Sequence, residues 1–284
     1  MKKNQDWDLI ISNERNIFDF KLHEIWEFKD LLFLFVKRDF TTFYKQTILG
    51  PLWFFIQPIL TSFVYLFIFS RVAGISTDKV PPYLFYLCGI ICWNYFSNNI
   101  NSTSTIFFTN AGIFGKVYFP RLIPPISNII SNFFRFTLQL IMFLFFYFYF
   151  LSNDFDNIKP SSNMLLFLPI VIMQVTILSF GIGMIISSLT SKYRDLGYLT
   201  SFGLQLLMYA SPIIYPLSSV PVAYKNFIYA NPMSSAIEGF RKGFLGVGEF
   251  NLNLFIYSLI ISIFIFMIGL IIFKKVEKNV IDTI

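Results

Sequence analysis

The sequence is poor in charge and in the residues from which most catalytic sites are built. Only 13% of its 284 residues are charged, and it has two cysteines and one histidine. Soluble domains carry about 25% charged residues, whereas 55% of this chain is hydrophobic and its mean hydropathy is +0.63. These values exclude an ordinary soluble domain and indicate an integral membrane protein.

Motifs for nucleotide binding and hydrolysis are also missing. The chain has no GxxxxGK[ST] phosphate loop, no HExxH or GxSxG motif and no cluster with metal-ligand spacing. Cys88 and Cys92 lie four residues apart in an apolar stretch, which predicts small buried fillers and no zinc or redox site. His23 precedes the first apolar segment and is expected to be a solvated surface residue. We therefore expect no catalytic residue, no metal and no cofactor in this chain.

Long apolar segments predict an all-α membrane protein with six transmembrane helices, since about 20 helical residues cross a bilayer. The segments are 49–73, 83–106, 122–151, 163–190, 196–216 and 251–273. They contain no acidic residue, and Asp195 lies at the rim of one of them, so the sequence offers no proton or cation relay of the kind that drives secondary transport. Any uphill movement is expected to be driven from outside this polypeptide.

Lysine and arginine predict the orientation. Fifteen of the 22 fall on one predicted face and six on the other, which places both termini in the cytosol by the positive-inside rule. We expect a cytosolic N-terminal region at 1–48, a permease domain at 49–273 and a cytosolic tail at 274–284. About fifty mostly polar residues precede the first span, so no cleavable signal peptide is expected. No separate basic patch indicates nucleic acid binding.

Two cytosolic elements carry aromatic and basic residues together. Residues 23–46 have apolar side chains at helical spacing, which predicts an amphipathic helix in the membrane interface, acting as an anchor or as a surface for a cytosolic partner. In the loop 109–125, Gly112, Gly115 and Pro120 interrupt the helix. Four aromatic and basic side chains are then expected to be exposed on the cytosolic side, where they could insert into a partner's groove or anchor the loop in the membrane interface. They are Lys116, Tyr118, Phe119 and Arg121.

The segment 211–246 is too apolar for an ordinary loop. Its pieces 221–231 and 233–246 are each too short to span, which predicts a re-entrant hairpin at about 217–246, lining a path or its gate. The alternative is an amphipathic linker on the outer membrane surface. Glu238 and Arg241 are three residues apart and could pair, either to hold a gate shut or only to satisfy two charges.

Several polar and small residues interrupt the apolar spans. One helical face of span three carries Asn128, Asn132, Arg135 and Gln139, which indicates a path-lining or partner-facing role or interhelical hydrogen bonding. Gly181 and Gly183 predict close helix packing. Spans one and five are interrupted by polar residues and proline, at Gln57 with Pro58 and at Gln205 with Ser211 and Pro212. Interruptions of this kind often face a lumen.

Four stretches together resemble a known family. They are KRDFTTFYKQTILGPLWFFIQP at 37–58, KVYFPRLIPP at 116–125, SKYRDLGYLTSFGLQLLMYASPIIYP at 191–216 and NPMSSAIEGFRKGFLG at 231–246. This ordered set resembles the membrane subunits of bacterial ABC exporters for polysaccharides, the O-antigen permease (Wzm) family, with capsule and teichoic acid export permeases as close relatives. The resemblance covers the chain from about residue 25.

The resemblance implies an inner-membrane half-transporter. It would form a homodimer around a channel, recruit two copies of a nucleotide-binding ATPase subunit that holds ATP and magnesium, and export a polysaccharide linked to undecaprenyl diphosphate into the periplasm. The alternatives are a capsule or teichoic acid permease, a membrane enzyme acting on lipid-linked sugars, and a passive channel. A membrane enzyme would need converging acids or histidines, which the spans lack.

The resemblance also implies roles for individual residues. ATPase coupling would fall to Arg38, Asp39, Lys45, Lys116, Tyr118, Phe119, Pro120 and Arg121. The periplasmic gate would include Tyr224, Phe227, Tyr229, Glu238 and Arg241. The channel would be lined by spans one and five, with Trp53, Phe54, Gln57, Tyr65, Tyr209 and Tyr215, to which the polar face of span three adds Arg135 as a predicted lining residue. Aromatic rings suit such a lining because they stack weakly on sugars.

Overall fold

The computed structural model describes residues 22–45, 48–153, 158–160, 162–193 and 195–277. All regular structure in these residues is helical, which confirms the predicted all-α class. The beginning of the predicted N-terminal region, up to residue 21, and the tail from residue 278 lie outside the described residues.

Within the described ranges the chain forms twelve α-helices. In chain order they are α1 (Leu22–Glu27), α2 (Lys29–Lys45), α3 (Trp53–Tyr65), α4 (Pro82–Ser104), α5 (Ile106–Thr109), α6 (Ala111–Phe114), α7 (Ile123–Ser152), α8 (Ser162–Thr190), α9 (Leu196–Tyr209), α10 (Val222–Ala230), α11 (Pro232–Leu245) and α12 (Leu252–Glu277). A 3₁₀ turn, Gly50–Leu52, leads into α3, and a π-helix, Leu66–Val72, continues it.

Four helical segments in the described part of the chain are long and apolar enough to cross a membrane. They are Gly50–Val72, Ile123–Ser152, Leu165–Thr190 and Leu252–Glu277, which match predicted spans one, three, four and six. Predicted span two coincides with α4, which is 23 residues long but rich in asparagine and serine. Predicted span five corresponds to α9, which ends after 14 residues. The count of six spans therefore stays a prediction.

The helix α4 lies at the centre of the bundle and packs against α3, α7, α8 and α11. It is buried along most of its length, and two of its polar side chains bond to α8. Asn99 Nδ2 donates to Ser179 Oγ at 3.1 Å, and the hydroxyls of Tyr95 and Thr176 lie 2.8 Å apart. Polar side chains thus bind the central helix to its neighbours where water is excluded.

Small residues bring α8 close to its two neighbours, as the sequence predicted. A Cβ added at Gly181 would lie 2.6 Å from the Cα of Phe266 in α12, and one added at Gly183 would lie 2.7 Å from Cβ of Thr103 in α4. Real Cβ atoms do not approach so closely. The two glycines therefore permit helix contacts that an alanine would prevent.

The polar face of α7 bonds to neighbouring helices. Asn128 donates to the carbonyl of Ser102 and Asn132 to its hydroxyl, both at 3.0 Å. Pro58 has no N–H with which to bind the Phe54 carbonyl one turn earlier, and Gln139 donates to that carbonyl at 3.3 Å. The prediction of interhelical hydrogen bonding along this face is confirmed.

Candidate functional site

The loop between α4 and α7 presents an exposed tip, which we define as residues 115–118. The one-turn helices α5 and α6 carry the chain to this tip, and Lys116, Val117 and Tyr118 are all exposed. Tyr118 has 46% of its surface accessible. The tip is therefore an exposed part of this loop that a partner could contact directly.

Two of the four side chains expected to be displayed are not displayed. Phe119 is only 2% exposed and Arg121 only 8%, so the prediction was wrong for both. After the tip the chain turns back at Pro120, and Phe119 packs against Phe114 with ring centroids 5.7 Å apart. An aromatic ring gains more from this apolar contact than from solvent exposure.

Arg121 fixes the base of the tip. Its Nη2 donates to the Phe114 carbonyl at 2.8 Å, and its guanidinium lies 4.7 Å from the Phe114 ring and 5.4 Å from the Phe119 ring. Its backbone N–H donates to Glu277 Oε1 of α12 at 3.4 Å. Burial lowers the pKa of Arg121 while Glu277 opposes that shift, and an arginine stays charged under either influence.

The helix α2 joins the same structural unit. The Phe35 ring lies 5.8 Å from Phe119, and Arg38 stacks over Phe35 at 4.5 Å. Arg38 Nη1 donates to Asn110 Oδ1 at 3.0 Å, and its Nη2 lies 3.0 Å from Asp39 Oδ1. The structure thus brings the two predicted coupling elements together, although the Lys45 side chain lies outside the part of the chain that is described.

Sequence reasoning missed the contribution of α12 to this unit. Phe273 is fully buried and stacks on Phe107 with centroids 4.8 Å apart and planes at 20°. Phe107 in turn lies 6.0 Å from Phe114. Both phenylalanines are ordinary members of apolar runs, so no local signal in the sequence marks their contact. We call Phe35, Phe107, Phe114, Phe119 and Phe273 the tip-base cluster.

The predicted channel residues of α3 and α7 face different surroundings. Trp53 and Gln57 are exposed, whereas Phe54 is buried. Arg135 is half-buried, with its guanidinium 5.4 Å from the Phe54 ring and Nη1 donating to Asn132 Oδ1 at 3.3 Å.

The predicted tyrosines lie near one another at the ends of α3 and α9. Tyr65 hydroxyl contacts Met208 Sδ at 3.7 Å, and Tyr215 hydroxyl donates to the Tyr209 carbonyl at 3.4 Å. Tyr209 itself is exposed. These contacts connect α3, α9 and the turn that follows α9.

The first helix of the predicted hairpin, α10, is exposed. Tyr224 and Phe227 have 66% and 77% of their surfaces accessible. Lys225 Nζ lies 2.6 Å from Glu249 Oε2, and the Tyr229 hydroxyl donates to the same oxygen at 3.1 Å. Burial together with the Glu249 carboxylate raises the pKa of Tyr229 to about 12, so Tyr229 remains a hydrogen-bond donor at neutral pH. The contacts with Glu249 therefore hold α10 to the loop before α12.

The second helix of the hairpin, α11, is buried against α4, α8 and α12. The expected ion pair is present, with Arg241 Nη1 2.8 Å from Glu238 Oε1 and both side chains inaccessible to solvent. Arg241 also stacks 3.7 Å from the Phe85 ring of α4 and donates to the Ile213 carbonyl at 3.4 Å. The alternative of a surface linker suits exposed α10 but does not describe α11.

Glu238 binds the loop before α12 through a backbone contact. Its Oε2 accepts from the Glu249 N–H at 2.8 Å. Gly248 has φ +111°, and a Cβ there would lie 2.6 Å from the same oxygen. Only glycine combines that backbone conformation with so close an approach, so Gly248 permits this contact.

Comparison with known proteins identifies the family. A family model described as ABC-2 type transporter matches residues 30–245. The O-antigen export system permease protein RfbA of Klebsiella pneumoniae is 30% identical over 249 residues, covering 87% of this chain and 92% of that protein. RfbA of Myxococcus xanthus is 26% identical over 222 residues, covering 78% and 82%. The polysialic acid transport protein KpsM of Escherichia coli is 25% identical over 247 residues, covering 85% and 91%. The chain belongs to the ABC-2 type transporter family.

Proposed function

We propose that this chain is the membrane-spanning permease subunit of an ABC transporter that exports an O-antigen polysaccharide. The observation that carries the proposal is the match to O-antigen export permeases over nearly their whole length. The four helices of membrane-spanning length support it. The cargo would be carried on undecaprenyl diphosphate and would move from the cytosol to the periplasm.

In this proposal six helices cross the bacterial inner membrane and both termini are cytosolic. The helix α4 would be span two, since 23 residues at a rise of 1.5 Å give about 34 Å. The helix α9 and the turn after it would be span five. The permease domain would cover 49–273, between the cytosolic regions 1–48 and 274–284. The excess of lysine and arginine on the faces that carry the tip and the termini supports this orientation.

The tip would dock on a nucleotide-binding ATPase, which alone would hold ATP and magnesium. Exposed Lys116 and Tyr118 would make direct contact. The buried residues Phe119 and Arg121, and the α2 residues Arg38, Asp39 and Lys45, would position the tip. Tyrosine is enriched among the residues that carry most of the binding energy of protein interfaces, which suits exposed Tyr118.

Two copies of the chain would form the channel, with two ATPase subunits below. The exposed aromatic faces of α3 and α9 would line it, together with Arg135. The exposed rings of Trp53 and Tyr209 support this role, since aromatic faces give a sliding polymer weak and repeated contacts. The hairpin α10–α11 would form the gate at the periplasmic mouth, with α10 as the moving part.

Co-purification tests the proposal. We expect the tagged permease, extracted in mild detergent, to retain the ATPase encoded with it, and a deletion strain to lose surface O-antigen while accumulating lipid-linked polymer inside the cell. A catalytically dead ATPase should give the same loss. Normal surface O-antigen in the deletion strain would contradict the proposal.

A capsule polymer is the second candidate cargo, because the polysialic acid transport protein KpsM matches 85% of the chain. The same deletion strain separates the two. Loss of capsule with intact O-antigen would favour the second candidate, and a teichoic acid permease would be recognised by loss of wall polymer.

A further inference from the structure

Two buried side chains from different helices bind the elbow between α10 and α11. The Pro232 carbonyl, at the start of α11, accepts from the Ser258 hydroxyl at 2.8 Å and from Gln174 Nε2 at 3.2 Å. Gln174 Nε2 also donates to Ser258 Oγ. Gln174 lies on α8 and Ser258 on α12, and neither is accessible to solvent.

A glutamine amide is costly in an apolar helix unless it is hydrogen-bonded, and among the described residues Gln174 makes its hydrogen bonds at the elbow through Nε2 alone. The helix α8 is apolar enough to cross a membrane, and Gln174 points inward to the elbow. The donors that satisfy Pro232 therefore belong to the two helices on which the hairpin rests. A displacement of α8 and α12 would carry the elbow with it.

The helices α8 and α12 pack closely against each other between the elbow and the tip-base cluster. Gly181 permits close backbone approach at Phe266, and a Cβ added at Gly269 would collide with the Gly181 carbonyl. The rings of Phe180 and Phe266 lie 5.7 Å apart. Close packing of this kind transmits strain from one helix to the other, because protein interiors have low compressibility.

The other end of α12 reaches the base of the tip. Phe273 stacks on Phe107, and Glu277 accepts from the Arg121 N–H. Ser258 and Phe273 are 15 residues apart on one unbroken helix, which corresponds to about 22 Å. One helix thus contacts the tip-base cluster with its last turns and the hairpin elbow near its first turns.

We propose that the α8–α12 pair is a rigid connector that transmits movement of the ATPase-facing tip to the hairpin elbow, with Gln174 and Ser258 as positioning residues. The inference rests on the proposed function of the tip and the hairpin. It adds to that proposal the physical path between them, a contiguous set of packed and hydrogen-bonded groups of the kind that carries coupling.

Spin labels on α10 and α3 test the connector, because α3 lies outside the α8–α12 pair and serves as the reference. The labels replace Phe227 and Phe63, both exposed, in a background with Cys88 and Cys92 changed to alanine. The labelled chain is diluted with unlabelled permease and assembled with its ATPase in nanodiscs. We compare the distance distributions of the nucleotide-free and vanadate-trapped complexes in Gln174→Met, Ser258→Ala and Ser262→Ala variants.

Ser262→Ala is the matched control, because Ser262 is equally buried on α12 but donates only to the Ser258 carbonyl of its own helix. We expect the nucleotide-dependent shift to persist with Ser262→Ala and to be lost or broadened with Gln174→Met and Ser258→Ala, while ATPase co-purification stays unchanged. Equal shifts in all three variants, or no shift in the unmodified complex, would overturn the connector. Failure of the ATPase to co-purify would instead remove the proposed function on which the connector rests.

Discussion

Glu238 and Arg241 form an ion pair that solvent does not reach. Burying two charges costs several kcal/mol per ion, and close geometry with further hydrogen bonds is needed to offset it. The Ile213 carbonyl, the Phe85 ring and the Glu249 N–H supply such contacts here. At the residue scale the pair ties α11 to α4, to the turn after α9 and to the loop before α12.

Removing one charge of this pair should be far worse than removing both. We expect Glu238→Gln and Arg241→Met each to destabilise the chain by about 3–5 kcal/mol, because each leaves an uncompensated buried charge or an unpaired partner. The double variant Glu238→Leu/Arg241→Met should recover much of the loss. Thermal unfolding of the purified protein in detergent provides the comparison, and a double variant no more stable than either single one would contradict this account.

At the element scale, the two helices of the hairpin are held differently. The helix α11 is buried among three neighbours, whereas α10 projects outward and is bound at its side by Lys225 and Tyr229 on Glu249. The Glu249 backbone binds Glu238 and its side chain binds α10. One residue therefore joins an exposed helix to the buried ion pair.

Charge reversal should release α10 from this loop. In the proposed gate, Lys225→Glu and Glu249→Lys each place like charges side by side, so we expect increased ion leak from proteoliposomes. The exchange of both residues restores opposite charges and should return the leak towards the original level. The difference in leak between the single reversals and the original protein should shrink in 1 M salt, where the screening length is about 3 Å. The hypothesis fails if the exchanged variant leaks as much as either single reversal.

The sequence predicted the helices whose signal is continuous and local. Apolar runs located the four long segments, and the three-residue spacing of Glu238 and Arg241 predicted their pair. The role of Glu249 could not be predicted, because it acts through its backbone from 11 residues away and depends on the conformation of Gly248. The polar stretch of α4 likewise reflects packing partners, which a local hydropathy pattern does not contain, whereas the end of α9 after Tyr209 has a local signal in Pro212.

The sequence also did not predict which side chains of the tip loop point into the protein. Lys116, Tyr118, Phe119 and Arg121 look alike as an aromatic and basic set, yet only the first two face solvent. Phe119 is directed inward by the rings of Phe35 and Phe114, which come from other helices. Burial of this kind is decided by long-range contacts.

At the scale of the whole molecule, the tip and the hairpin are joined through α12, so an effect on export can arise by docking or by folding. Tyr118 and Phe119 are adjacent in sequence, but 46% of one side chain is accessible and only 2% of the other. Comparing variants at these two positions therefore distinguishes an effect on docking from an effect on folding.

Tyr118→Ala should weaken ATPase binding and lower stability less than Phe119→Ala does. Truncation of an anchoring aromatic costs about 2 kcal/mol or more in binding, so we expect Kd for the ATPase to rise about 30-fold and export to fall with it, while the unfolding temperature changes little because 46% of the Tyr118 side chain is accessible. Phe119→Ala should both weaken ATPase binding and lower the unfolding temperature, because emptying a buried phenylalanine site costs about 3–5 kcal/mol of stability. Val117→Ala is the comparison within the tip, since it truncates an exposed apolar residue that has no aromatic ring, and we expect it to raise Kd less than Tyr118→Ala. The measurements are binding to permease in nanodiscs, thermal unfolding, and surface glycan in the complemented deletion strain. Unchanged binding in Tyr118→Ala, at unchanged stability, would remove the tip from the ATPase interface.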